Sequence, residues 1–137
     1  MNRENASELK FMNALDIQTI STDTTTDGDV IDTQGYDSLT FVFQTGTVTD
    51  GDYLPLIEES DVVTFGGEES AVADADLTVT EAAAGFTADT DDNQISKIGY
   101  TGAKRFVRLA IVSTNTSSGA VVGAIAVLGH GRAQPES

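Results

Sequence analysis

The sequence predicts an all-β protein: an antiparallel β-sandwich, with a jelly roll as one form of it, carrying long acidic loops and little helix. Three observations support this fold class. Short apolar segments alternate with period two, turn-forming residues separate them, and helical periodicity is scarce. A small barrel is the alternative arrangement of such strands. The length of 137 residues suits one domain, and a domain of this size buries roughly two thirds of its unfolded surface.

The beginning of the chain carries the weakest pattern. Residues 4–15, ENASELKFMNAL, give only a marginal amphipathic helix candidate. We therefore expect residues 1–12 to be an N-terminal arm that becomes ordered on a neighbouring molecule. The single β-sandwich domain is then expected at 13–130, and residues 131–137 form a C-terminal tail.

The first convincing strand is SLTFVFQ, residues 38–44. Leu39, Phe41 and Phe43 point to one side of it, and polar residues point to the other. This is the period of a half-buried strand. Turn-forming residues flank it on both sides.

The next predicted strand is YLPLIEES, residues 53–60. Proline cannot donate a hydrogen bond to a strand ladder, so Pro55 places this strand at a sheet edge or a bulge. Residues 60–70 are interpreted as its hairpin partner. Residues 66–93 have little pattern and are expected to form long loops, with one helical turn at 80–85 that ends at Gly85.

The last third of the chain has the strongest strand signals. Residues 104–114 and 120–129 are apolar on both faces, which predicts central strands. The connection NTSSG, residues 115–119, is short and polar, so we expect these two strands to pair as an antiparallel hairpin. Residues 94–100 supply one more strand.

The charge of the chain is strongly one-sided. The net charge is −15, and residues 11–96 contain nineteen of the 22 carboxylates but no lysine or arginine. Such a surface repels phosphate backbones and anionic lipid, so nucleic-acid and membrane-surface binding are disfavoured. The chain has no cysteine, which excludes disulfides and thiol chemistry. No signal peptide and no membrane-spanning segment is expected from the apolar runs.

No catalytic pattern emerges from the ionisable residues. The single histidine, His130, lacks a nucleophile motif near it and is interpreted as a turn residue. Glu58 and Glu59 are strand neighbours on opposite faces, so they cannot share a glycosidase site. The acids in 23–32 and 89–94 do not fit the EF-hand spacing, although sandwich loops bind calcium with looser spacing. We therefore expect no enzyme activity, no cofactor and no dedicated metal site.

The basic residues cluster at the end of the chain and have two interpretations. They form internal ion pairs, or they mark a less acidic face that docks onto a partner while the acids of 48–61 and 86–93 point away. Arg108 is expected to be paired inside the domain. The candidate docking residues are Lys97, Lys104, Arg105, Arg3 and Lys10.

Several stretches within residues 27–130 resemble a known group of small viral proteins. They are GYDSL, LIEESD, KIGYTGAKR and VVGAIAVLGH, and they are similar to the capsid decoration, or cement, proteins encoded among the head genes of tailed bacteriophages. The resemblance implies a non-enzymatic virion structural protein that binds the outside of the capsid and stabilises contacts between major capsid protein subunits.

The resemblance also implies partners and a location. The partners are the major capsid protein and neighbouring copies of the chain, and the location is the capsid exterior after synthesis in the host cytoplasm. The strong negative charge favours the exterior as well, because an inner lining would face packaged DNA. Two alternatives stay open. They are a phage tail or head–tail joining component, and a calcium-dependent carbohydrate-binding β-sandwich.

Overall fold

Two four-stranded antiparallel sheets make up the protein in a computed structural model, which describes residues 6–86 and 91–131. The prediction of an all-β sandwich is confirmed. The strands are β1 (Lys10–Ile20), β2 (Thr25–Asp32), β3 (Tyr36–Val48), β4 (Asp52–Ser60), β5 (Ser70–Ala71), β6 (Ile95–Tyr100), β7 (Phe106–Thr114) and β8 (Ala120–Gly131). A 3-10 turn (Asp74–Asp76) and the short helix α1 (Glu81–Ala84) complete the described elements.

Sheet A has the strand order β1-β8-β3-β6, and sheet B has the order β2-β7-β4-β5. The core lies between the two sheets and is built from alternate residues of each strand. Phe41 and Phe43 of β3 are buried as the period-two pattern predicts, and the ring of Phe43 meets that of Phe86 edge-on at 5.0 Å. Ile57 of β4 and Leu109 of β7 are buried in the same core.

The two strongest strands, β7 and β8, are both interior strands, as their apolar faces predict. The predicted hairpin between them is wrong, because β7 lies in sheet B and β8 lies in sheet A. The connection at 115–119 crosses from one sheet to the other. Asn115 and Gly119 both have positive φ there, 56° and 88°, and a Cβ on Gly119 would collide with the backbone of Ile20. A connection of hairpin length therefore serves as a corner of the sandwich.

The predicted position of this strand at a sheet edge or a bulge is wrong for β4 as a whole, since β4 lies between β7 and β5 and pairs with β7 without a bulge. Pro55 pairs with Ile111 of β7, and β5 pairs only with Glu58 and Glu59 farther along β4. On that same edge, the backbone N–H of Tyr53 donates to Phe86, and the backbone N–H of Ile57 donates to the Glu81 carboxylate. Pro55 lies between Tyr53 and Ile57 on this edge. A backbone N–H at this position would have no acceptor on a neighbouring strand, and proline has no N–H.

The predicted hairpin partner at 60–70 is wrong, since the strand that pairs with β4 is only two residues long. Residues 61–69 form bends instead. Gly67 has φ 128°, and its N–H donates to the Glu69 carboxylate at 2.8 Å. This local turn takes the chain out of the extended conformation.

The predicted helix at 4–15 is also wrong. Strand β1 begins at Lys10 and pairs with β8, so residues 10–12 belong to the sheet rather than to a free arm. Alternation explains this, because Met12 and Ala14 face inward while Phe11 and Asn13 face outward. Residues 1–5, which include Arg3, and residues 132–137 of the predicted tail lie outside the described residues. The tail's first residue, Gly131, ends β8.

The helical turn and the long acidic connection follow the prediction. The side chain of Thr80 caps α1 by accepting from the N–H of Ala83, and Gly85 follows the last helical residue. Between β5 and β6 the described residues contain only this turn and the 3-10 turn. In the described ranges, no helix has the length and apolar character needed to cross a membrane.

We expect Leu109→Ala to lower the free energy of unfolding by about 2–5 kcal/mol, because Leu109 is fully buried on an interior strand. Chemical denaturation measures this change. Val62→Ala is the control, since Val62 is exposed in the bend after β4. Similar small losses for both variants would contradict the placement of β7 at the centre of the core.

Candidate functional site

Two of the predicted docking residues form exposed ion pairs. Lys104 Nζ lies 2.8 Å from Asp61 Oδ2. Arg105 binds Asp32 with two parallel hydrogen bonds, each 2.8 Å long. The hydrogen bond from Arg105 lowers the pKa of the Asp32 carboxyl. The structure therefore shows the internal pairing that was one of the two interpretations of these cations.

Arg108 is the centre of the most buried charged cluster. Its side chain is 12% exposed and lies on the outer side of sheet B. The Nη2 atom lies 2.6 Å from Glu58 Oε1, 3.7 Å from Asp27 Oδ1 and 4.0 Å from Glu69 Oε1. The ring of Phe65 covers the guanidinium at 4.8 Å. The expected internal pairing of Arg108 is thus observed, and it links β2, β4, β7 and the loop before β5.

Lys10 and Lys97 differ from the other described cations, because neither forms an ion pair with a described residue. Lys97 is exposed on β6, the edge strand of sheet A. Lys10 begins β1 at the opposite edge of that sheet. A docking role for Lys97, Lys104, Arg105, Arg3 and Lys10 stays a prediction.

A tyrosine corner joins the end of β6 to sheet B. The Tyr100 hydroxyl donates to Glu59 Oε1 at 2.6 Å and accepts from the backbone N–H of Lys104 at 3.0 Å. Burial, together with the bond to Glu59, raises the pKa of the Tyr100 hydroxyl. Glu59 therefore faces away from Glu58 and Arg108, as expected for neighbours on a strand. An open groove of about 410 Å³ lies beside this corner, between residues 33–39 and 100–105.

A second corner is made by carboxylates that hold the connection at 115–119. The carboxylate of Asp50 accepts the backbone N–H groups of Ser117, Ser118 and Gly119, each at 2.9 Å. These bonds lower the pKa of Asp50. Asp23 accepts the backbone N–H of Thr116 at 2.9 Å and its hydroxyl at 2.7 Å, which lowers the pKa of Asp23. These acids therefore stabilise the fold.

The remaining candidate residues do not assemble into a reactive centre. His130 has φ 53° and lies near the end of β8, and its Nδ1 is 3.1 Å from Ser38 Oγ. Within the ranges 6–86 and 91–131, no group of three His, Asp or Glu side chains is arranged to hold a metal ion. Two acids of the stretch 23–32 have other roles, since Asp23 caps a loop and Asp32 pairs with Arg105.

The outer face of sheet A is a surface that the sequence did not reveal. Four large apolar side chains are exposed on it: Phe11, Ile17, Ile95 and Ile125. The segments of Ile95 and Ile125 look like ordinary strands in sequence, and β1, which carries Phe11 and Ile17, was not predicted as a strand. Only the strand order shows that these positions share one solvent-facing side. At the outward positions of the four strands, the only charged side chains are Lys97 and Asp16.

No protein-family model and no curated protein matches this sequence. One solved structure, described as the structure of infectious bursal disease virus Gx strain, is 15% identical, with a TM-score of 0.49 over 93% of this chain. The chain spans about a third of the length of that structure's chain, since 34% of it is covered. At this identity and TM-score the likeness carries no argument about function.

We expect Arg108→Ala to lower the free energy of unfolding by about 3 kcal/mol, because the change leaves the largely buried Glu58 carboxylate without its cation. Lys104→Ala is the matched control. Its ion pair with Asp61 is exposed, so its loss should lower the free energy of unfolding much less. Denaturant unfolding measures both values, and equal losses would contradict a structural role for the Arg108 cluster.

We expect the stability difference between the wild type and Asp50→Asn to depend on pH. A carboxylate with a lowered pKa contributes stability above its ordinary value of 3.8, and this stability is lost as the pH falls through the folded-state pKa. The difference should therefore be greatest near neutral pH and shrink below about pH 4. Denaturant unfolding across this range measures it, with Glu68→Gln, at an exposed carboxylate, as the control for removing one negative charge. A difference that does not change with pH would contradict the role of the Asp50 carboxylate.

Proposed function

We propose that the protein is a non-enzymatic structural component of a virion that binds the outside of a tailed-phage capsid and stabilises contacts between major capsid protein subunits. The observation that carries the proposal is that the described arginines are paired inside the domain, which leaves a strongly acidic surface. The described arginines are neutralised within the domain, while the net charge stays at −15. The resulting surface suits solvent on the outside of a particle.

The physical argument concerns many copies of the chain at high local density. Fixed negative charge on neighbouring particles makes them repel one another and disfavours adsorption of nucleic acid. The same charge on the inside of a shell would oppose packaging of DNA, because the phosphate backbone carries the same sign. The resemblance of the stretches around KIGYTGAKR and VVGAIAVLGH to capsid decoration proteins supports the same location.

The proposal includes no catalytic step. The carboxylates with lowered pKa values at Asp23, Asp32 and Asp50 each accept structural hydrogen bonds. Glu59 accepts from Tyr100, and Glu58 pairs with Arg108. These acids are held by the fold, which supports a structural role rather than proton transfer.

The rim of the groove beside Tyr100 offers two exposed cations to the capsid. Lys104 and Arg105 line this groove, and their pairs with Asp61 and Asp32 are exposed to solvent. Exposed pairs contribute little to stability, so a capsid carboxylate can replace the internal partner at small cost. The groove is therefore the proposed capsid contact.

The proposal predicts that purified particles contain many copies of the protein distributed over the shell. Quantitative mass spectrometry of particles, with the major capsid protein as the internal reference, measures the copy number. Particles assembled without the protein should lose their DNA at a lower temperature, because contacts between capsid subunits lack reinforcement. Adding purified protein back should restore the heat resistance.

Other results would favour the alternatives. A copy number that matches one ring at a single vertex would indicate a head–tail joining component. Binding of glycans that requires added calcium, measured by calorimetry, would indicate a carbohydrate-binding module. Particles that contain none of the protein would contradict the proposal.

A further inference from the structure

Four of the seven large hydrophobic side chains that are exposed in the described residues lie on the outer face of sheet A. The exposed fractions are 55% for Phe11, 82% for Ile17, 65% for Ile95 and 42% for Ile125. Four exposed apolar side chains on one face of a chain that is otherwise strongly acidic indicate an interaction surface.

The strand register arranges this face in rows that cross the sheet. Ile125 of β8 pairs with Asn13 on one side and Val42 on the other, and Val42 pairs with Lys97. In the next row, Gln44 lies between Gly123 and Ile95.

A bulge in β1 completes the second row. Asp16 and Ile17 lie between the paired residues Leu15 and Gln18. A Cβ on Gly123 would lie 2.6 Å from the Ile17 side chain. The absence of a side chain at Gly123 therefore lets Ile17 lie over the sheet, and a shallow groove of about 350 Å³ remains beside it.

The two lateral edges of this face carry opposite charges. Lys97 lies on β6 at one edge and has no ion pair with a described residue. At the β1 edge, Asn13 Nδ2 donates to Asp16 Oδ1 at 2.7 Å and to Asp29 Oδ2 at 3.0 Å. The row that contains Ile125 is therefore apolar in the middle, positive at its β6 end and negative at its β1 end.

We propose that this face binds a second copy of the chain, face to face, about a two-fold axis that runs parallel to the strands between β8 and β3. Such an axis exchanges the two lateral edges, so β6 of one copy lies over β1 of the other. Asn13 and Lys97 belong to the same row, so Lys97 of each copy then lies opposite Asn13 and its Asp16 partner in the other copy. In the first row, Ile125 of each copy then meets Val42 of the other, and the charged ends are complementary. In the second row, Ile17 of each copy meets Ile95 of the other.

The area of the face indicates a weak dimer. Four strands about 4.8 Å apart and about eight residues long at about 3.3 Å per residue give a face of roughly 500 Å². Two such faces bury roughly 1,000 Å², which is near the lower limit for a specific interface. The inference does not depend on the proposed capsid role, although a crowded particle surface would favour such pairing by raising the local concentration.

Sedimentation equilibrium of the full chain over a range of concentrations at constant salt tests the proposal. The wild type should form dimers with a Kd below about 1 mM. Ile125→Glu should abolish dimers, because it places a carboxylate in the middle of the apolar face. Val63→Glu is the matched control, since Val63 is exposed outside this face, and it should dimerise like the wild type.

A charge exchange gives a second test that does not alter the packing. Lys97→Glu should weaken the dimer at least tenfold, and combining it with Asp16→Lys should restore a large part of the affinity. Thermal unfolding of each monomer confirms that the variants are folded. A wild type that stays monomeric to about 1 mM would overturn the proposal, as would dimers that Ile125→Glu leaves intact. Monomers in solution combined with loss of particle binding by Ile125→Glu would assign this face to the capsid instead.

Discussion

The three hydrogen bonds from the 115–119 connection to the Asp50 carboxylate are the interaction on which the sandwich depends. They hold a short loop in a shape that moves the chain from sheet B to sheet A between its two most apolar strands. Because β7 and β8 enter different sheets, each becomes an interior strand, and the core forms between them. Some of the many carboxylates in this chain therefore stabilise the fold. Asp50 and Asp23 are far from the 115–119 connection in sequence, yet they accept hydrogen bonds from its backbone N–H groups.

Electrostatics then separates the surface into regions with different roles. Arg108 gathers Glu58, Asp27 and Glu69 on the outer side of sheet B. Arg105 and Lys104 neutralise two further acids near the groove beside Tyr100. The outer face of sheet A carries almost no charge, so it is the face where another molecule approaches with the least repulsion. The proposed capsid contact at the groove and the proposed self-association through sheet A are compatible, since they use different residues.

The sequence pattern predicted the elements whose structure depends on residues close together in the chain. The alternation around Phe41 and the helical turn before Gly85 both follow from residue type and spacing. Pro55 predicted an edge strand or a bulge, but β4 is an interior strand, because β5 pairs with it beyond the proline. The segments β1 and β2 were missed for a physical reason. In β1, the bulge at Asp16 and Ile17 breaks the alternation, and β2 is mostly polar and forms a strand by pairing with β7. The hairpin error arose because the partners of 115–119, Asp50 and Asp23, are distant in sequence. The apolar outer face was hidden for a similar reason, since Ile95 and Ile125 look like core residues until the order of the strands is known.

A cryo-electron microscopy map of the particle, compared with a map of particles that lack the protein, tests the central claim most directly. The account predicts extra density on the outer surface of the shell, with the Lys104 and Arg105 side of each copy against the capsid subunits. Density on the inner surface, or copies whose Lys104 and Arg105 side faces away from the shell, would contradict the account.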